Sequence, residues 1–166
     1  MCLLTSMVRQ FDIMKLERIY VDANVLINYC TGQPDDYNEL RRLFSSKCGA
    51  ELYTSNLAIV QVIAKLQSKT RDREAFSPEE IKKHINYFYS HFNVYEVKNQ
   101  DIKTALEIPF NKDLEDNIHF VVFLNTKCNA ILTNNKKDFF HFGVSIRTPR
   151  KIKKRKNKGT TKQNQH

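Results

Sequence analysis

The sequence predicts an α/β fold of three layers, α/β/α, with helices on both faces of a central parallel sheet of four to five strands. Three observations predict it. Short segments rich in β-branched and aromatic residues alternate with longer segments of helical period. The first strand-like segment, Ile19-Tyr20-Val21, is apolar at successive positions, as a strand covered on both faces requires. A chain of 166 residues with 41% hydrophobic content is long enough to build one such core.

The elements follow in order. Ile19 to Val21 forms the first strand, with the Asp22 carboxylate at its tip. Val25 to Tyr29 reads as a short helix closed by Gly32 and Pro34. Asp35-Asp36 opens a helix running from about Asp36 to Lys47, with Leu40, Leu43 and Phe44 on one face, and Gly49 ends it. Glu51-Leu52-Tyr53-Thr54 is the second strand. Ser55 or Asn56 caps a helix running to about Lys69, in which Leu57, Val60, Ile63 (or Ala64) and Leu66 keep a helical period. Ser77-Pro78-Glu79-Glu80 combines a capping box with proline in the first turn. Its helix carries Ile81, Ile85, Phe88, Tyr89 and Phe92. Val94 to Val97 is the third strand. One short helix from Asp101 to Ile108 is stopped by Pro109, and another runs from Asp113 to Thr126. Ala130 to Thr133 is the fourth strand and Val144 to Ile146 the fifth. Right-handed crossovers place every strand's carboxyl end on one edge of the sheet, which gathers Asp22 with the segments after Thr54 and Thr133. In open α/β sheets that edge is where ligands bind.

The domain is expected to span residues 16–149. Residues 1–15 read as an N-terminal extension, with Met14 as the natural start. Residues 150–166 read as a basic, disordered tail. The formal net charge of +9 belongs to that end. Nine of the 27 Lys and Arg lie from Arg147 onward with no Asp or Glu, so the preceding residues balance 18 bases against 18 acids. The tail is either a solvated segment or a non-specific phosphate binder. No apolar run approaches a membrane span, and Met1-Cys2-Leu3-Leu4 lacks the basic lead-in of a signal peptide, so a cytoplasmic protein with no membrane partner is expected. Cys2, Cys30, Cys48 and Cys128 have no paired spacing and read as small buried thiols rather than a zinc site or disulfide framework.

Three clusters could carry chemistry. Asp22 ends a buried strand, where a lone carboxylate needs a cation or hydrogen-bond donors. It has two readings, a metal ligand or the N-cap of the next helix. Asp113, Glu115 and Asp116 stand in the first turn of a helix whose apolar face includes Ile118, Val121, Val122 and Leu124 or Asn125. Acids there stabilise the macrodipole, but three are more than capping needs. Asp116 shares a face with Phe120 and looks toward Asp22, while Glu115 points about a quarter turn away. Thr133-Asn134-Asn135-Lys136-Lys137-Asp138-Phe139 follows the fourth strand and reads as a hard-cation or phosphate loop, or as a polar turn.

Asp22-Ala23-Asn24 after a strand, Glu115-Asp116-x-Ile118 at a helix start, and Leu132-Thr133-Asn134-Asn135-x-x-Asp138-Phe139 together resemble the motifs of PIN-domain ribonucleases, the VapC-type toxins in particular. The resemblance runs from about Ile19 to Pro149. It implies an endonuclease that hydrolyses RNA phosphodiester bonds with Mg2+ or Mn2+, one half of a toxin–antitoxin pair. RNA, an antitoxin protein and a second copy of the chain are the partners it implies. Asp22 and Asp116 match the family's first and third acidic positions and would be the metal ligands. Asn135 matches the fourth, with Asp138 just beyond as a further ligand or a brace for the loop. Ser55 or Asn56 matches a small polar residue before the second helix. The family's glutamate in that helix falls on Gln61 here, which can orient water but supplies no charge. Glu115 could compensate only from an unfavourable direction. Lys136 and Lys137 flank the same edge, as holders of substrate phosphates or as ordinary surface.

Gln61 also keeps open a catalytically weak or inactive relative that binds nucleic acid. A haloacid dehalogenase-like phosphotransferase or hydrolase ranks below both, because Asn24 stands where that family wants a second Asp. No glycine-rich phosphate loop is present. His119 and His141 lack partners at metal-ligand spacing and read as packed or hydrogen-bonded residues. Asn24 reads as fixing the turn after Asp22 through its side chain. Tyr87, Phe88, Tyr89 and Phe92 could stack bases, but their helical spacing favours core or dimer packing.

Overall fold

The structure is a computed structural model that describes residues 17–149 except 33, 46–48 and 110–112, and does not describe the side chains of residues 34–36. The expected extension with Met14, the basic tail, Cys2 and Cys48 lie outside the described residues. Five parallel strands form one sheet in the order β3-β2-β1-β4-β5. They are β1 (Glu17–Val21), β2 (Ala50–Ser55), β3 (Asn93–Tyr95), β4 (Ala130–Leu132) and β5 (Ile146–Arg147). Seven helices connect them among the described residues: α1 (Ala23–Thr31), α2 (Pro34–Phe44), α3 (Asn56–Gln67), α4 (Pro78–His91), α5 (Asn99–Leu106), α6 (Leu114–Asn125) and α7 (Lys136–Phe139), the last running into a 3-10 turn at Phe140–Phe142. This is the expected three-layer architecture.

The alternation of side chains along β1 explains the two layers. Ile19 and Val21 join a core with residues of α1, α2, α3 and α4, including Leu26, Leu40, Phe44, Val62 and Phe88. Tyr20 points to the opposite face and joins Val122 and Phe123 of α6, Ile131 and Phe139. Both faces of β1 are therefore dry, which is why its sequence shows no polar alternation. β1 is central, so the chain winds outward to β3 on one side and to β5 on the other. The switch falls between β1 and β4, and in such sheets a crevice opens there beyond the strand ends.

Several elements differ in phase from the sequence expectation. The buried residues of α3 are Ala58, Ile59, Val62 and Leu66, while Val60 is 60% exposed. This helix is apolar nearly all round, so its period does not fix its rotation. Ser55 does, by accepting the N–H of Ala58 at 3.1 Å as the N-cap. Asn56 instead accepts the N–H of Val97 through its side chain. Tyr89 is exposed, whereas Phe88 and Phe92 are buried and Tyr87 stacks on Tyr29. Leu124 is exposed on α6, and Asn117 and His119 are buried there instead. The short helix α1 begins two residues earlier than expected, and β3 ends at Tyr95.

The capping box at Ser77 is complete. Glu80 donates its N–H to Ser77 Oγ at 3.3 Å, and its carboxylate accepts the Ser77 N–H at 2.8 Å. Ser77→Ala is expected to cost about 1 kcal/mol of stability, read as a lower urea midpoint with an unchanged m-value. Among the described residues no helix is long and apolar enough to cross a membrane. Cys30 and Cys128 are buried free thiols, and burial pushes Cys30 up to about 12, so neither is a ready nucleophile.

Candidate active site

Asp22 occupies the N-cap position of α1 but makes no side-chain capping bond. Its Oδ2 instead accepts from Asn24 Nδ2 at 2.6 Å and from Thr133 Oγ1 at 2.8 Å. Asn24 Nδ2 also donates to Thr133 Oγ1 at 3.1 Å, and Asn24 Oδ1 accepts the N–H of Asn134 at 3.1 Å. The N–H of Asn135 donates to Thr133 Oγ1 at 3.0 Å. Asn24 thus does more than fix its own turn, because it clasps the tips of β1 and β4 together around the carboxylate. Asp22 is only 6% exposed, yet among the described residues no Lys or Arg pairs with it.

The three acids at the start of α6 separate into three roles. Asp113 is the N-cap and accepts the N–H of Glu115 at 2.9 Å. Asp116 is half-buried, and its carboxyl is pushed up to about 7. Desolvation is the main cause, followed by the negative charges of Asp138, Asp113, Asp22 and Glu115. Glu115 does not turn away as its spacing predicts. Its Oε2 accepts from Gln61 Nε2 at 2.6 Å, which brings it onto the same cleft.

That cleft has a volume of about 440 Å3, and its walls include Asp22, Asn24, Gln61, Lys65, Glu115, Asp116 and His119. Asp22 and Asp116, the pair placed together from sequence, face one hollow with Glu115 beside them. Lys65 escaped the sequence reading, although its position four residues after Gln61 on α3 puts it on the same helix face. Asn135, Lys136, Lys137 and Asp138 are not part of the cleft wall. They lie at the start of α7 on the same sheet edge, with both lysines exposed. Asp138 is raised by burial and then by the charge of Asp22, while a hydrogen bond from the Asn135 side chain lowers it. It therefore shares the field of the cleft without lining it.

His119 is 2% exposed and has both ring nitrogens engaged, with Tyr20 Oη 2.6 Å from Nδ1 and Gln61 Oε1 3.0 Å from Nε2. Burial lowers its pKa, so the ring is neutral and carries one N–H. The direction of every bond then follows. The Glu115 carboxylate only accepts, so the Gln61 NH2 faces it and the Gln61 carbonyl faces His119. Nε2 must carry the hydrogen, and Nδ1 accepts from the Tyr20 hydroxyl. Ser55 Oγ, 3.2 Å from Tyr20 Oη, already accepts the N–H of Ala58 and donates onward to Tyr20. Gln61 therefore engages a side chain at each end of its amide, Glu115 through the NH2 and His119 through the carbonyl. Tyr20→Phe leaves His119 Nδ1 unpaired in the core, at an expected cost of about 1–3 kcal/mol, measured by chemical denaturation. His141 is exposed and lines a separate hollow with Phe120 and Phe142.

The donor set is oxygen-rich and net negative, and among the described residues no cation pairs with Asp22, which suits a hard divalent ion. Among the described residues no three His, Cys, Asp or Glu side chains converge tightly enough to cage one. A parallel sheet with an acidic crevice at its switch point defines the structural class. A sequence profile of the PIN domain matches residues 19–143, and the chain belongs to the PIN-domain family.

Solved structures agree at the level of the fold. VapC20 of Mycobacterium tuberculosis, a sarcin-ricin loop cleaving toxin, superposes with a TM-score of 0.59 at 16% identity, covering 76% of this chain and 95% of that one. VapBC2 of Rickettsia felis, bound to a DNA fragment from its promoter, gives 0.58 at 13% identity over 79% and 98%. VapBC-1 of nontypeable Haemophilus influenzae gives 0.55 at 14% identity over 80% and 98%. No curated protein matches the sequence significantly.

Proposed function

We propose that the protein is a divalent-metal-dependent endoribonuclease acting as the toxin of a toxin–antitoxin pair. One observation carries the reading: Asp22 and Asp116 line one cleft at the switch point, where burial first and the neighbouring acids second push the Asp116 carboxyl up to about 7. Asp22 and Asp116 would hold Mg2+ or Mn2+, with Asn24 and Thr133 fixing the Asp22 carboxylate. Such an ion, when bound, acidifies an attacking water and offsets charge building on the phosphate. Lys65 on the wall, with Lys136 and Lys137 along the edge, would hold phosphates of the strand. Asn135 and Asp138 brace the start of α7 behind them. A sarcin-ricin loop cleaving toxin among the structural neighbours supports RNA as the substrate class. The VapBC structures among them support an antitoxin protein as partner, and a second copy of the chain is a further expected partner.

The test uses the full chain, labelled single-stranded RNA and Mn2+, beside Asp116→Asn and a chelator. Internal cleavage that stops in both controls is the expected result. Equal cleavage by the variant would remove the carboxylates from the chemistry. Salt-sensitive RNA binding without cleavage would instead place the chain among non-catalytic relatives, the reading that a neutral Gln61 favours.

A further inference from the structure

We propose that Glu115 supplies the negative charge that Gln61 lacks, and that Gln61 is the positioning residue that holds it on the cleft. The inference rests on the metal-dependent reading above. It starts from the directed chain of bonds already described. His119 donates to the Gln61 carbonyl at 3.0 Å, so the Gln61 NH2 can point only at Glu115, 2.6 Å away. Glu115 is exposed and at the start of α6, where an unrestrained glutamate has many rotamers. The Gln61 bond selects the one that faces the cleft.

The same geometry explains why glutamine stands at position 61. A glutamate there could accept from His119 but would set its carboxylate against that of Glu115 with no donor between them. Gln61 and Glu115 therefore form a pair in which the charge sits on one member and the amide on the other. Exchanging the two keeps every bond: a carboxylate at position 61 would accept from His119 and from the amide at position 115. The charge moves by one hydrogen bond's length and stays on the cleft wall.

Mn2+ affinity of the full-length protein, measured by titration without RNA, reads this directly. Glu115→Gln is expected to bind Mn2+ about tenfold more weakly, with an unchanged circular dichroism spectrum because the residue is exposed. Gln61→Leu, which keeps every carboxylate but releases Glu115, is expected to lose about as much. The double variant Gln61→Glu/Glu115→Gln is expected to recover to within about threefold of the parent. A residue with a merely structural role would not be rescued by exchanging charge. Parent-like affinity in Glu115→Gln, or no recovery in the double variant, overturns the proposal. If Asp116→Asn still abolishes RNA cleavage in either case, the nuclease reading stands without it. A parent protein that binds no Mn2+ overturns both.

Discussion

Asp22→Asn is expected to lower RNA cleavage by about a thousandfold, the loss of several kcal/mol of charge stabilisation at the reacting phosphate. The substitution is close to isosteric. An asparagine oxygen can still accept from Asn24 Nδ2 and Thr133 Oγ1, so the clasp between β1 and β4 survives. What disappears is one full negative charge in a site that is 6% exposed, where screening by solvent is weakest. Stability should change little or rise, since the substitution removes a buried carboxylate that no cation among the described residues pairs. The measurement is single-turnover cleavage at saturating Mn2+, paired with a denaturant melt of the metal-free protein. Full activity in a folded Asp22→Asn protein would mean that the strand-tip carboxylate serves the fold alone.

Asp116 gives the second large effect, on stability rather than rate. Its carboxyl titrates at about 7 in the folded protein, against about 3.9 in an unfolded chain. The folded state holds this proton more tightly through that interval. Its contribution to stability is therefore present below the unfolded value and is lost as the pH rises through 7. Asp116→Asn abolishes the ionisation. The metal-free variant should melt higher than the parent at about pH 8 and equally at about pH 4. Because the group is only half-buried, the difference is on the order of 1 kcal/mol, or about 2–4 °C. Mn2+ should raise the Tm of the parent at the higher pH and leave the variant unmoved. A parent that melts higher than the variant at pH 8 without metal would show that an internal cation already neutralises the carboxylate.

How far the sequence reaches can be judged from particular residues. Asp22 and Asp116 are legible because a strand tip and a helix start are local signals, and the parallel topology then brings such ends to one edge. The Ser77 capping box is legible for the same reason. The rotation of α3 is not, because an all-round apolar helix has no preferred face until Ser55 and the sheet set its phase. The position of Glu115 depends on that rotation: its spacing on α6 points it aside, and only the arrival of Gln61 from another helix turns it onto the cleft. The bond from Tyr20 to His119 joins residues 99 positions apart, and neither carries a local mark of it. The sequence marks His119 as a packed or hydrogen-bonded histidine, and it is both. Its place in a directed chain belongs to the packing of three elements.

The outermost strands of the sheet, β3 and β5, are three and two residues long. Each offers too short a ladder for a foreign strand to zip onto, which blunts edge-to-edge aggregation. An antitoxin of the kind proposed above is therefore expected to grip the described domain through side chains on its helical flanks or to reach into the acidic crevice itself, and its affinity should track individual anchor residues rather than main-chain pairing.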